Sequence, residues 1–121
     1  MSRGQVIRHN RILEPRSWSA LQLHEGSRPF CRGGVVEDNV IGPAGLEDGT
    51  WADGISFACL FGSVRRNTLI DTTDGAIVVF GAGGSVIDDN RIIARERGHD
   101  RRDGPVRCDR YRQRPAGRSV P

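Results

Sequence analysis

Val6-Ile7-Arg8-His9-Asn10-Arg11-Ile12, Val35-Val36-Glu37-Asp38-Asn39-Val40-Ile41, Ser63-Val64-Arg65-Arg66-Asn67-Thr68-Leu69 and Val86-Ile87-Asp88-Asp89-Asn90-Arg91-Ile92 align without a gap on their asparagines. The asparagines lie 29, 28 and 23 residues apart, a spacing too regular for chance and too short for separate domains. Between them runs a second apolar element: Ala20-Leu-Gln-Leu-His24, Gly54-Ile-Ser-Phe-Ala58 and Ala76-Ile-Val-Val-Phe80. These stretches alternate or run continuously apolar, as strands do, and no helical period is visible in residues 1–94. Each repeat therefore reads as a long strand, a turn, a short strand, an asparagine corner and another short strand.

Such a unit cannot bury its apolar side alone, so the repeats are expected to stack about 4.8 Å apart around a narrow core. Three before asparagine stand Ile7, Val36, Val64 and Ile87, and two after it Ile12, Ile41, Leu69 and Ile92; these are the expected inward columns. Asparagine suits the corner because it tolerates left-handed backbone angles and its amide bonds to the next asparagine along the stack. The two positions before asparagine alternate in charge: Arg8, Glu37, Arg65, Asp88 and His9, Asp38, Arg66, Asp89. That order sets opposite charges over each other across the ladder. Cys31 and Cys59 each stand eight residues before an asparagine, which puts them one rung apart and within disulfide reach. A pair of buried free thiols is the other reading, and Cys108 is left as an odd thiol.

The pattern resembles the right-handed parallel β-helix of the pectin-lyase-like superfamily, most closely from Trp51-Ala-Asp-Gly-Ile-Ser-Phe-Ala-Cys59 through Val86-Ile-Asp-Asp-Asn90. The resemblance implies an all-β solenoid of about four coils over residues 4–94, read as a few coils of something longer. Many members of that superfamily cleave or bind acidic polysaccharides outside the cell, along a groove beside the long-strand sheet. The implied function is therefore glycan binding or processing, of the polyuronate lyase or glycoside hydrolase kind. A non-catalytic structural or surface module, or an inactive fragment, is the alternative, because function belongs to sites grafted on folds. Lyases of the superfamily rely on a basic residue above bound calcium, and no such motif is matched here. Extracellular placement follows from the resemblance alone, since the opening Met-Ser-Arg-Gly-Gln is no apolar signal segment.

Candidate chemistry is sparse. Asp53 and Asp74 each open an Asp-Gly signal before neighbouring long strands, and carboxylates one rung apart can hold calcium or share a proton. Asp-Gly is equally a turn signal whose carboxylate bonds nearby amides. His24 follows the preceding long strand and approaches the same face. Trp18 and Trp51 precede long strands and either stack on sugar rings or pack under loops. With Leu21, Leu23, Ile55, Phe57, Ile77 and Val79 inward, the outward set is Gln22, His24, Ser56, Ala58, Val78 and Phe80, a face poor in charge.

The formal charge of +3 divides unevenly: residues 1–94 hold 9 Arg against 11 acids, whereas residues 95–121 hold 9 Arg against 4. That Arg-rich tail has no apolar spacing and is expected to be disordered. It reads as a solvated tail, a non-native end, or a nucleic-acid arm; the last rests on charge alone, with one Tyr and no aromatic interleaving to stack bases. No apolar run approaches the roughly 20 residues that span a bilayer. Without polar caps, the ends of such a stack are expected to favour self-association.

Overall fold

The computed structural model describes residues 2–15, 18–24, 31–45, 51–95 and 112–114, and every element among them is a strand. The first repeat contributes β1 (Val6–Arg8), β2 (Arg11–Ile12), β3 (Ser19–Leu23) and β4 (Cys31–Arg32). The second contributes β5 (Val35–Glu37), β6 (Val40–Ile41), β7 (Asp53–Phe57) and β8 (Cys59–Leu60). The third supplies β9 (Ser63–Arg65), β10 (Thr68–Ile70) and β11 (Ile77–Phe80), and the fourth β12 (Val86–Asp88) and β13 (Arg91–Ile93). β14 (Arg112–Arg114) lies in the Arg-rich tail.

All pairings are parallel, and each sheet takes strands from successive repeats. The sheets run β1-β5-β9-β12, β2-β6-β10-β13 and β3-β7-β11-β14, with a smaller β4-β8 pair. Their register is the one set by the asparagines: Ile7 beside Val36, Val36 beside Val64, Val64 beside Ile87. Val36, Ile41, Val64 and Leu69 of the two middle repeats are wholly buried, with Ile55, Phe57, Ile77 and Val79 filling the same core from the long strands.

The chain has only four asparagines, and all four form one ladder. The backbone N–H and side-chain amide of Asn10 both donate to Oδ1 of Asn39, at 3.0 and 3.1 Å. Asn39 does the same to Asn67, at 3.1 and 2.9 Å, and Asn67 to Asn90, both at 3.0 Å. Each amide also reaches back to a carbonyl of the repeat before: Asn39 to Ile7, Asn67 to Val36, Asn90 to Val64. The left-handed corner, expected at asparagine, falls one residue earlier, at His9, Asp38, Arg66 and Asp89, with φ of 58°, 55°, 53° and 53°. Turning the chain there frees the asparagine side chain to point along the stack.

A second corner lies six residues before each asparagine, at Gly4, Gly33, Phe61 and Gly84, with φ of 62°, 64°, 51° and 72°. Glycine takes this conformation without penalty, whereas a bulky residue there is strained. Phe61 therefore holds a strained backbone, with its ring out in solvent under the Arg32 guanidinium, 5.0 Å from the ring centroid.

Cys31 and Cys59 stand side by side in β4 and β8 with Cα atoms 4.6 Å apart, joined by a disulfide and buried. Gly34 makes room for the bridge: a Cβ there would sit 2.9 Å from the Cys59 sulfur and 2.8 Å from Leu23 Cδ2.

Two expectations for the tail need correcting. Arg95 belongs to the folded body, because its backbone N–H and its Nε each donate at 2.6 Å to the buried carboxylate of Asp71. Arg112–Arg114 form a strand that extends the long-strand sheet beside β11, rather than a patternless segment. Cys108 lies outside the described residues.

Candidate functional site

The long strands position the candidate residues. Leu21, Ile55 and Ile77 share one register position and Leu23, Phe57 and Val79 another, all facing the core as expected. Ile55 lies beside Ile77, an offset of 22 residues, which sets Asp53 beside Gly75. The Asp74 N–H donates to the Ala52 carbonyl at 3.0 Å, the bond a residue beside Asp53 makes, just as the Asp53 N–H bonds the Trp18 carbonyl while lying beside Ser19. The second Asp-Gly signal carries one extra residue before its strand, so Asp74 and Gly75 together face Asp53 in a bulge.

Both oxygens of Asp53 are engaged in building the turn. Oδ1 accepts the Gly75 N–H at 3.0 Å, and Oδ2 accepts the Ser56 hydroxyl at 3.1 Å. Ser56 has one hydroxyl proton, so the 2.7 Å contact between Ser19 and Ser56 has Ser19 as donor. The chain Ser19–Ser56–Asp53–Gly75 ties three adjacent long strands together where they begin. This arrangement orders the backbone where the strands begin.

The outward face of these strands is more covered than strict alternation predicts. Gln22 and His24 are exposed, whereas Ser56, Ala58 and Val78 are buried and Phe80 is half-buried. The His24 and Phe80 rings meet at 5.7 Å between centroids, two rungs apart across the small Ala58. His24 is thus placed against an aromatic ring rather than beside Asp53.

Trp18 and Trp51 are both open to solvent, 83% and 59% exposed. They stand on adjacent repeats just before β3 and β7: Asp53 N–H donates to the Trp18 carbonyl at 2.7 Å, and Ser19 lies beside Asp53. The two tryptophans are therefore diagonal neighbours across one rung, and neither packs under a described loop.

The charge columns form an ionic face away from the tryptophans. Arg65 grips Asp88 through two bonds of 2.6 and 3.2 Å. Arg66 reaches both Glu37 and Asp38 at 3.1 Å, and Arg8 approaches Glu37 at 3.9 Å. The hydrogen bond from Arg66 holds the Asp38 carboxyl below its ordinary range, helped by the charges of Arg66, His9 and Arg8. The same bond raises Arg66. Among the described residues, no three His, Cys, Asp or Glu side chains gather where they could hold a metal ion. No described helix is long and apolar enough to cross a membrane.

Sequence reasoning missed Phe61 and the Asp71–Arg95 pair. The first had a visible signal, since Gly4, Gly33 and Gly84 recur six residues before asparagine and Phe61 stands in the same place. Comparison of the chain with protein-family models, with curated proteins and with solved structures finds no match.

Proposed function

We propose that this chain is a run of right-handed parallel β-helix coils of the pectin-lyase-like kind, serving as a non-catalytic module that binds a glycan chain through Trp18 and Trp51. The observation that carries the reading is the pair of solvent-exposed indoles on adjacent rungs at the mouth of the long-strand sheet. Flat apolar ring faces stack on the C–H faces of sugars, and two such platforms a rung apart present a path for a chain of sugars. A non-catalytic role is favoured because both carboxylate oxygens of Asp53 already accept hydrogen bonds, from the Ser56 hydroxyl and from the Gly75 N–H of the next repeat. The acids beside the tryptophans favour neutral sugars over polyuronates, whose carboxylates would meet Asp53 and Asp74 unless calcium came between.

Titration of tryptophan fluorescence with neutral oligosaccharides, and with polygalacturonate with and without calcium, tests this. The reading predicts saturable quenching by a neutral glycan, lost in Trp18→Ala and in Trp51→Ala. Release of unsaturated uronide that disappears in Asp53→Ala would replace it with a catalytic one, and absence of binding to any of these glycans would remove it.

A further inference from the structure

The ladder has a direction, and its two ends differ. Every asparagine but the last gives two donors to the Oδ1 of the next. Among the described residues, Asn90 therefore keeps a backbone N–H with no acceptor, and Asn10 keeps an Oδ1 with no donor. Asn10 also turns its amide onto its own neighbour, the Arg8 carbonyl at 3.0 Å, where each later asparagine reaches the repeat before it. The core columns end in the same unfinished way. Val36, Ile41, Val64 and Leu69 are fully buried, whereas their end-repeat counterparts Ile7, Ile12, Ile87 and Ile92 are only half-buried.

We propose that the two ends are complementary docking surfaces for a second copy of this chain, stacked head to tail so that Asn90 of one copy lies over Asn10 of the next. The contact continues the internal rule. Asn90 donates its N–H and its amide to Oδ1 of the next copy's Asn10, whose own amide swings from Arg8 to the Ile87 carbonyl. Ile87 and Ile92 then cover Ile7 and Ile12 of the next copy.

Charge points to a second copy in this orientation. Asp88 comes over Arg8 and Asp89 over His9, extending both alternating columns across the junction. The same register sets Arg91 over Arg11, a like pair exposed to solvent on both sides, and sets β14 over β3, with Arg112 beside Gln22 and Arg114 beside His24, in sheets apart from the two alternating columns. Stacking two copies of the same end instead would put Arg8 over Arg8 or Asp88 over Asp88. Because the two surfaces differ, the contact does not close, and it builds dimers and longer stacks as concentration rises. This inference does not depend on the glycan reading.

Cysteine trapping gives orientation. Val6 and Val86 share a register position and are 53% and 49% exposed, so head-to-tail docking sets them about 4.8 Å apart, within disulfide reach. In a Cys108→Ser background, Val6→Cys and Val86→Cys chains should each remain uncrosslinked alone under mild oxidation. Mixed, they should give a disulfide-linked dimer, and a chain carrying both changes should give a ladder of multimers. Sedimentation velocity of the unmodified chain should show its sedimentation coefficient rising with concentration, and Asp89→Arg should weaken self-affinity about fivefold at low salt, less at high salt. Dominant Val6→Cys or Val86→Cys homodimers would overturn the orientation. A sedimentation coefficient independent of concentration for the unmodified chain would overturn the docking itself, whatever the variants do.

Discussion

Replacing Asn67 by alanine removes four side-chain hydrogen bonds at a fully buried position: two given, to Asn90 Oδ1 and the Val36 carbonyl, and two accepted, from the Asn39 N–H and amide. The Asn67 N–H keeps its bond to Asn90, since alanine retains the backbone donor. Two donors of Asn39, itself wholly buried, lose their acceptor. An intramolecular hydrogen bond contributes about 1 kcal/mol net, and each stranded buried donor costs about 1–3 kcal/mol, so a loss of about 3–5 kcal/mol is expected. Asn10→Ala is the control. It removes only the amide bonds to Asn39 Oδ1 and Arg8 O at an exposed end, while Asn39 Oδ1 keeps the Asn10 N–H, so about 1 kcal/mol is expected. Urea unfolding under non-reducing conditions, with slopes compared between variants, measures both losses. An Asn67→Ala chain already unfolded without urea is the same result at its limit, because domains of this size hold only about 5–15 kcal/mol in total. If Asn67→Ala costs no more than Asn10→Ala, the ladder is not what holds the repeats in register.

Three further outcomes follow from the same geometry. The Cys31–Cys59 bridge closes a separation of 28 residues, so its replacement by two alanines should cost about 3.5 kcal/mol on chain-entropy grounds; an unchanged urea midpoint would contradict that. Asp38 has its folded carboxyl held low by Arg66, so its contribution is full above the ordinary value of 3.8 and lost as pH falls through the lower folded value. Melting curves from pH 6 to 2 should therefore show a shallower acid decline for Asp38→Asn than for the native chain, and parallel declines would remove Asp38 from the account. Phe61→Gly trades relief of a left-handed backbone, about 1–2 kcal/mol, against a stacked arginine worth about 0.5–1 kcal/mol. Stability should rise by about 0–1.5 kcal/mol, where Phe57→Ala in the core should lose about 3–5 kcal/mol.

The repeat was legible because one side chain must occur at one place in every unit. Four asparagines at fixed distances from apolar pairs specify strand neighbours, and those neighbours in turn place Cys31 beside Cys59 and Glu37 between Arg8 and Arg65. What the spacing conceals is whatever depends on a single inserted residue or on distant chain. The extra residue between Asp74 and its strand sets Asp74 and Gly75 together against Asp53, a bulge that no alignment on Asp-Gly reveals. Burial of Ser56 and Val78 depends on more than strand alternation. Arg112–Arg114 has no apolar pattern to announce a strand, because an edge partner of β11 can pair through backbone alone. Trp18 and Trp51 were readable as aromatic residues before long strands, but only the structure separates exposed indoles from packed ones.

The repeats stack in parallel and in register on the asparagine ladder. Hydrogen exchange of the four asparagine side-chain amides, followed by NMR on asparagine-labelled protein, tests this stacking most directly. Asn39 and Asn67 should exchange slowly, each with cross-peaks to the asparagine of the next repeat, and Asn10, whose amide is exposed, should exchange faster. Four amides exchanging at the rate of free asparagine, with no cross-peaks between repeats, would contradict the stacking.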